Sequence, residues 1–210
     1  MQVCWPGRVA IELKATAGTV MCDPFPEIFQ RGAVVDPNTI VTISEASRPE
    51  RLPEGIPAAA RVISGPGEYE IKGIGIRGVP IPRQDPDDQR AVNTAYVVEA
   101  DGMAFCHLGV PSGELSPQAL RSIGRVDVLI VPIDGDLLSP EQAVAAVRQV
   151  EPGVVIPVGF EPAEQGTAPS LTRFISELGV EAAQPVGRIS IVRNSIGEDL
   201  KIVVLTPQLP

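Results

Sequence analysis

With 210 residues, 44% of them hydrophobic and only 4% aromatic, the chain is long enough for one domain with a core of Val, Ile, Leu and Ala. Its net charge of −9 repels phosphate backbones, and with no run of Lys and Arg to offset it, nucleic acid is excluded as a partner. No apolar run approaches the roughly 18 residues that span a bilayer, and no basic-then-apolar leader opens the chain, so a cytoplasmic protein without a membrane partner is expected.

The elements read as follows in chain order. Val9–Leu13 and Thr19–Cys22 are short apolar strands around the turn signal Ala17-Gly18. Ile40–Ile43 and Arg61–Ser64 are further strands. Tyr69–Val79 alternates in part and bends at glycines. Thr94–Ala100 and Met103–Leu108 flank Asp101-Gly102, the strongest hairpin cue in the chain. Helices then begin to alternate with strands. Ser116-Pro117 predicts a cap and first turn, with a stop at Gly124. Val126–Val131 is a buried strand. Ser139-Pro140-Glu141-Gln142 predicts a capping box before Val144, Val147 and Val150. Val154–Val158 is a strand, Ser170–Leu178 a helix closed by Gly179, and Ile189–Val192 and Lys201–Leu205 the last strands. With 20 Gly and 22 Pro, one residue in five, turns are tight and elements short. A strand-rich half followed by helix–strand alternation predicts a single α/β domain over residues 1–210, two sheets covered by helices.

Several motifs invite chemical readings. Gly73-Ile74-Gly75-Ile76-Arg77-Gly78 matches G-x-G-x-x-G, but Pro80 and Pro82 follow where a dinucleotide site needs a helix, so a twisted or bulged strand is expected. His107, the one histidine, lies in an apolar strand; the nearby Ser112 is outside any G-x-S-x-G context, so His107 reads as a hydrogen-bonded structural residue. Cys4, Cys22 and Cys106 are too far apart for a zinc knuckle or disulfide framework and read as small core hydrophobes. The acidic groups Asp85, Asp87, Asp88 and Asp134, Asp136 read as solvated turns. Ser44 to Glu50 follows a strand at its C-terminal end, where α/β sheets place their sites.

Taken together, Val3-Cys4-Trp5-Pro6-Gly7, Cys22-Asp23-Pro24-Phe25, Thr42-Ile43-Ser44, Gly65-Pro66-Gly67-Glu68-Tyr69-Glu70-Ile71-Lys72-Gly73, Asn93 to Glu99, Cys106-His107-Leu108-Gly109, Val126 to Pro132 and Val155-Ile156-Pro157 resemble one family. It is the compact branch of the metallo-β-lactamase superfamily assigned to zinc-dependent hydrolases, relatives of L-ascorbate-6-phosphate lactonase. The likeness runs nearly the whole length. It implies an αββα sandwich of two mixed sheets flanked by helices, with one or two metals at the strand ends.

The resemblance also implies ligand positions, and most are occupied by other residues. His-x-His-x-Asp-His is expected after the strand ending in Ser44; Glu45, Ser47, Pro49 and Glu50 stand there. A later histidine falls on Arg83 or Gln84, the bridging Asp on Val110, the last His on Gly159, and an early His on Arg8. His107 matches a family histidine that is not a ligand. Val and Pro side chains offer no donor atoms, and arginine is a fixed cation. The chain is therefore expected to be a non-catalytic relative with no metal cofactor. In it Arg8, Asp23, Glu45, Ser47, Glu50, Arg83, Val110 and Gly159 line a polar crevice for a small polar ligand or a protein partner. A second reading is a hydrolase of lactonase or phosphoesterase type with a rebuilt metal site, in which Glu45, Glu50 and Asp23 hold Mg, Mn or Zn. A structural role within a homo-oligomer is a third.

Overall fold

The fold was analysed in a computed structural model that describes residues 1–30, 36, 38–45, 55–58, 60–82, 92–134, 137–161 and 168–208. The first sheet is built from β1 (Gln2–Gly7), β2 (Ala10–Lys14), β3 (Thr19–Cys22), β4 (Ile40–Ile43) and β5 (Arg61–Ser64), with β12 (Arg188–Ser190) added beside β1. Its pairs are antiparallel from β12 to β3 and parallel from β3 to β5. The second sheet runs β13 (Lys201–Ile202), β11 (Val154–Val158), β10 (Val128–Pro132), β9 (Met103–His107), β8 (Val92–Ala100), β7 (Ile74–Pro82), β6 (Gly67–Ile71). It is parallel from β13 to β9 and antiparallel from β9 to β6. The helices are α1 (Pro26–Gln30), α2 (Pro117–Ile123), α3 (Pro140–Val150) and α4 (Pro169–Leu178).

The expected α/β sandwich of two mixed sheets with flanking helices is the observed architecture. The predicted caps are made. Ser116 Oγ accepts from the Ala119 N–H at 3.1 Å, and Ser139 and Gln142 close their box through two reciprocal bonds. Tyr69–Val79 divides into β6 and β7 around a Lys72-Gly73 turn, both residues at positive φ, as a two-residue hairpin requires. The G-x-G-x-x-G run is strand, in even register with both neighbours. Gly78 is needed there for space: a Cβ would come within 2.7 Å of the Gly65 carbonyl oxygen.

One apolar cluster joins both sheets to the helices, with Trp5, Tyr96, Phe105 and Phe174 its largest fully buried members. A smaller one, Met21, Val41 and Ile43 with Ile56 and Ala60, covers the other face of β3 and β4. Both faces are buried, so Ile40–Ile43 reads as an unbroken apolar run. The Tyr96 hydroxyl ties the sheets together, donating to the Ile43 carbonyl at 2.9 Å and accepting from the Gly65 N–H at 2.9 Å. Burial pushes the Cys22 and Cys106 thiols up to about 12, which keeps them protonated and inert, as expected of core hydrophobes.

Candidate functional site

The C-terminal ends of β3, β4, β9, β10 and β11 meet the β1–β2 turn at one end of the sandwich. The turn acts as a clamp through its carbonyl groups. The Arg8 carbonyl accepts from Trp5 Nε1 at 2.7 Å and from the Gly159 N–H at 2.8 Å. The Val9 carbonyl accepts from His107 Nε2 at 2.7 Å. The last two of these bonds fix the turn of one sheet against strand ends of the other, and the first braces the turn on its own strand. With its backbone at φ 49°, Arg8 sends its side chain outward. The guanidinium lies 4.7 Å above the centroid of Phe25 and 3.0 Å from Glu27 Oε1, and the side chain stays 64% exposed.

Asp23 sits just past β3 with φ 44°. Its Oδ1 accepts from the Ser44 N–H at 2.6 Å, while Oδ2 faces His107 Nδ1 at 3.7 Å with no hydrogen-bond partner of its own. A carbonyl can only accept, so the Val9 contact puts a proton on Nε2. In a neutral imidazole this leaves a lone pair on Nδ1 aimed at a carboxylate. Burial pushes the Asp23 carboxyl above its usual range, the His107 charge and Ser44 bonds draw it back, and Glu45 adds to the rise. His107 is thus hydrogen-bonded to the backbone through Nε2, as expected of a structural residue, and its Nδ1 faces Asp23.

The loop after β9 is held by Asn93, fully buried on β8. Its Nδ2 donates to the Leu108 carbonyl and its Oδ1 accepts from the Val110 N–H, each at 2.8 Å. Gly109 stands between, at φ 72°, where a Cβ would press on Ser44 and come within 2.6 Å of Asn93 Oδ1. The Ser44 carbonyl accepts from the Thr94 N–H at 2.8 Å, a second bond between the sheets.

Above this floor opens a cavity of about 590 Å³. Arg8, Val110 and Gly159, three of the residues expected at the crevice, line it together. Asp23 and Glu45 stand at neighbouring strand ends and are not among its lining residues; Asp23 reaches it through His107 and Val9. Ser47, Glu50, Arg83 and Gln84 lie outside the described residues. The described partner of Arg8 is Glu27, not a residue of the Ser44–Glu50 segment. Trp5, Phe25, Glu27 and Phe160 are among the other lining residues. No catalytic motif marks these four in the sequence; only the return of Cys22-Asp23-Pro24-Phe25 and Val158-Gly159-Phe160 to the same strand ends brings them in.

The donor set can be tested against a metal. Among the described residues no three His, Cys, Asp or Glu side chains group as a metal site would require. Asp23 Oδ1 accepts from Ser44 and its Oδ2 faces His107 Nδ1 at 3.7 Å, His107 Nε2 is bonded to Val9, and Arg8, Val110 and Gly159 supply no metal-ligating side chain. The described residues therefore do not fit a divalent cation.

This architecture defines a metallo-β-lactamase-type fold, and the comparisons agree. The family described as the β-lactamase superfamily domain matches residues 2–159. The chain belongs to the metallo-β-lactamase superfamily. It is similar to a UPF0173 metal-dependent hydrolase of Methanopyrus kandleri, 22% identical over 99% of this chain and 97% of that one. A UPF0173 metal-dependent hydrolase of Methanoculleus marisnigri is 20% identical over 96% and 97%. A solved structure of the superfamily from Thermotoga maritima shares the fold at a TM-score of 0.74, with 23% identity and coverage of 98% and 99%.

Proposed function

We propose that this chain is a non-catalytic member of its superfamily, whose strand-end crevice binds a small molecule or a protein partner and takes no metal cofactor. One observation carries the reading. The side chains at three ligand positions of the family motif, Arg8, Val110 and Gly159, line one cavity and present a cation, an isopropyl group and a hydrogen to it. Hydrolysis by this fold needs a Lewis acid that lowers the pKa of water, and these groups cannot hold one. The acidic surface and the lack, among the described residues, of a helix long and apolar enough to cross a membrane support a role away from nucleic acid and bilayers, in the cytoplasm.

The relatives' name, metal-dependent hydrolase, favours a second reading: Glu45, Glu50 and Asp23 hold Mg, Mn or Zn in a rebuilt site of lactonase or phosphoesterase type. Asp23 argues against it, because both oxygens already face groups of the protein. Elemental analysis of untagged, purified protein decides between them. The expected result is far less than one zinc, manganese or magnesium per chain after gel filtration. A full equivalent, retained through dialysis, overturns the non-catalytic reading.

A further inference from the structure

We infer that the crevice is a receptor for a small organic cation, an amine or guanidine carried on a compact apolar body, and that Arg8 occupies the cation seat in the free protein. The inference rests on the reading of the crevice as a metal-free binding site and names its ligand class. Its volume, about 590 Å³, is that of a small-molecule pocket.

The walls are aromatic and anionic at once. Trp5 and Phe160 line the cavity from within the core, 0% and 6% exposed with ring centroids 4.7 Å apart, and Phe25 presents the ring face on which the Arg8 cation lies. Three carboxylates, Glu27, Asp134 and Glu161, also line the cavity, against the single cation Arg8 among the described lining residues. A ring face is the negative pole of its quadrupole, so aromatic walls and carboxylates select the same charge. An anion meets three like charges here. A neutral ring gains apolar contact and no ion pair.

Arg8 demonstrates the seat. Its guanidinium stacks over Phe25 and pairs with Glu27 Oε1, the two contacts a ligand cation needs. Yet this side chain is 64% exposed, so it covers the site without filling it. The other oxygen, Glu27 Oε2, is shut off from solvent and has no hydrogen-bond partner. An ammonium or guanidinium deeper in the cavity would satisfy that oxygen, and the Arg8 side chain would swing aside to admit it.

Trp5 is the one tryptophan of the chain and lines the cavity, so its fluorescence reports occupancy. The probes are 2-phenylethylamine, its neutral counterpart 2-phenylethanol, and the anion 3-phenylpropionate, titrated into protein whose metal content is measured on the same sample. The amine should bind the wild type with a Kd on the order of 1 mM, the range of a fragment-sized ligand, with the alcohol and the acid much weaker. Arg8→Asn, which keeps a residue tolerant of positive φ, should bind the amine about tenfold tighter, because the seat is vacated. Glu27→Gln in that background should lose about tenfold. Thermal melts check that each variant is folded, and Glu161→Gln supplies a second carboxylate test should Glu27→Gln fail to fold.

The inference is overturned if the acid binds as well as the amine, if Arg8→Asn does not tighten amine binding, or if metal-free protein gives no signal with the amine. A silent titration in protein that carries a full equivalent of metal instead overturns the reading of the crevice on which the inference rests.

Discussion

The two ends of the sandwich treat buried polar groups in opposite ways. At the N-terminal ends of β9 and β10, Asp127 and Asp101 each meet both a backbone N–H and a cation. Asp127 Oδ2 accepts from the Ala104 N–H at 2.9 Å and from Arg193 Nη1 at 2.7 Å. Asp101 accepts from the Thr16 N–H and faces the buried N-terminal ammonium at 3.3 Å. At the C-terminal ends the carboxylate Asp23 and the ring of His107 face each other at 3.7 Å, each with an unpartnered atom. The first end is built for stability. The second keeps polar groups whose bonding is incomplete, the state in which folds leave their sites. Within one superfamily fold, the strand ends at this end keep a polar scaffold whose bonding is only partly closed.

The largest expected effect tests how far that scaffold is rigid. Gly109→Ala needs a Cβ at φ 72° where Ser44 and Asn93 already stand. A cost of about 3 kcal/mol is expected from strain and overpacking together. For a chain of this length that lowers Tm by roughly 6–12 °C. A melt unchanged within error would mean that the crevice end is loose, and the contrast between the ends would break. Asp127→Ala comes next. It strips the buried Ala104 N–H of its acceptor and leaves Arg193 without its partner, but Arg193 is half exposed and water replaces much of the pair. About 2 kcal/mol is expected, and a fall in Tm of roughly 4–8 °C.

Much of the fold was readable along the chain, and the unreadable parts share one cause. Caps at Ser116 and Ser139, the Asp101-Gly102 hairpin and the buried run Val154–Val158 are local signals set within a few residues, and they stand where expected; the run expected at Val126–Val131 forms its strand over Val128–Pro132. β1 is different: its short run is interrupted by Pro6-Gly7, and it becomes a strand because β2 and β12 pair with it. The five-residue α1 is too short to carry a periodicity. The site divides in the same way. Arg8, Val110 and Gly159 were found through position in a family pattern, and they do share a cavity. Phe25, Glu27 and Phe160 were missed, because an aromatic and a carboxylate become a cation seat only when separate strand ends converge.

The smallest expected effect sharpens the comparison most, because it turns on the sign of two pKa shifts. Burial acts against Asp101, but the Thr16 N–H and the N-terminal ammonium outweigh it and hold the carboxyl below its unfolded value of 3.8. Its contribution to stability is therefore present above about pH 4 and fades as pH falls through the lower folded value. Asp23 runs the other way. Burial raises its folded value, so the folded protein binds the proton more readily than the unfolded chain does. The ionised group is then a cost at neutral pH, relieved as pH falls towards 3.8. Asp23→Asn removes that cost while keeping the bonds, since the amide oxygen can still accept from Ser44 and its N–H₂ can donate to the Nδ1 lone pair of His107. At pH 7 its Tm should lie within about 2 °C of the wild type or above it, and the difference should turn against the variant as pH approaches 4. Asp101→Asn should instead lower Tm at pH 7 and converge with the wild type in acid. Parallel pH–Tm curves for the two variants would mean that both carboxylates are equally well satisfied, and that the ends of the sandwich do not differ.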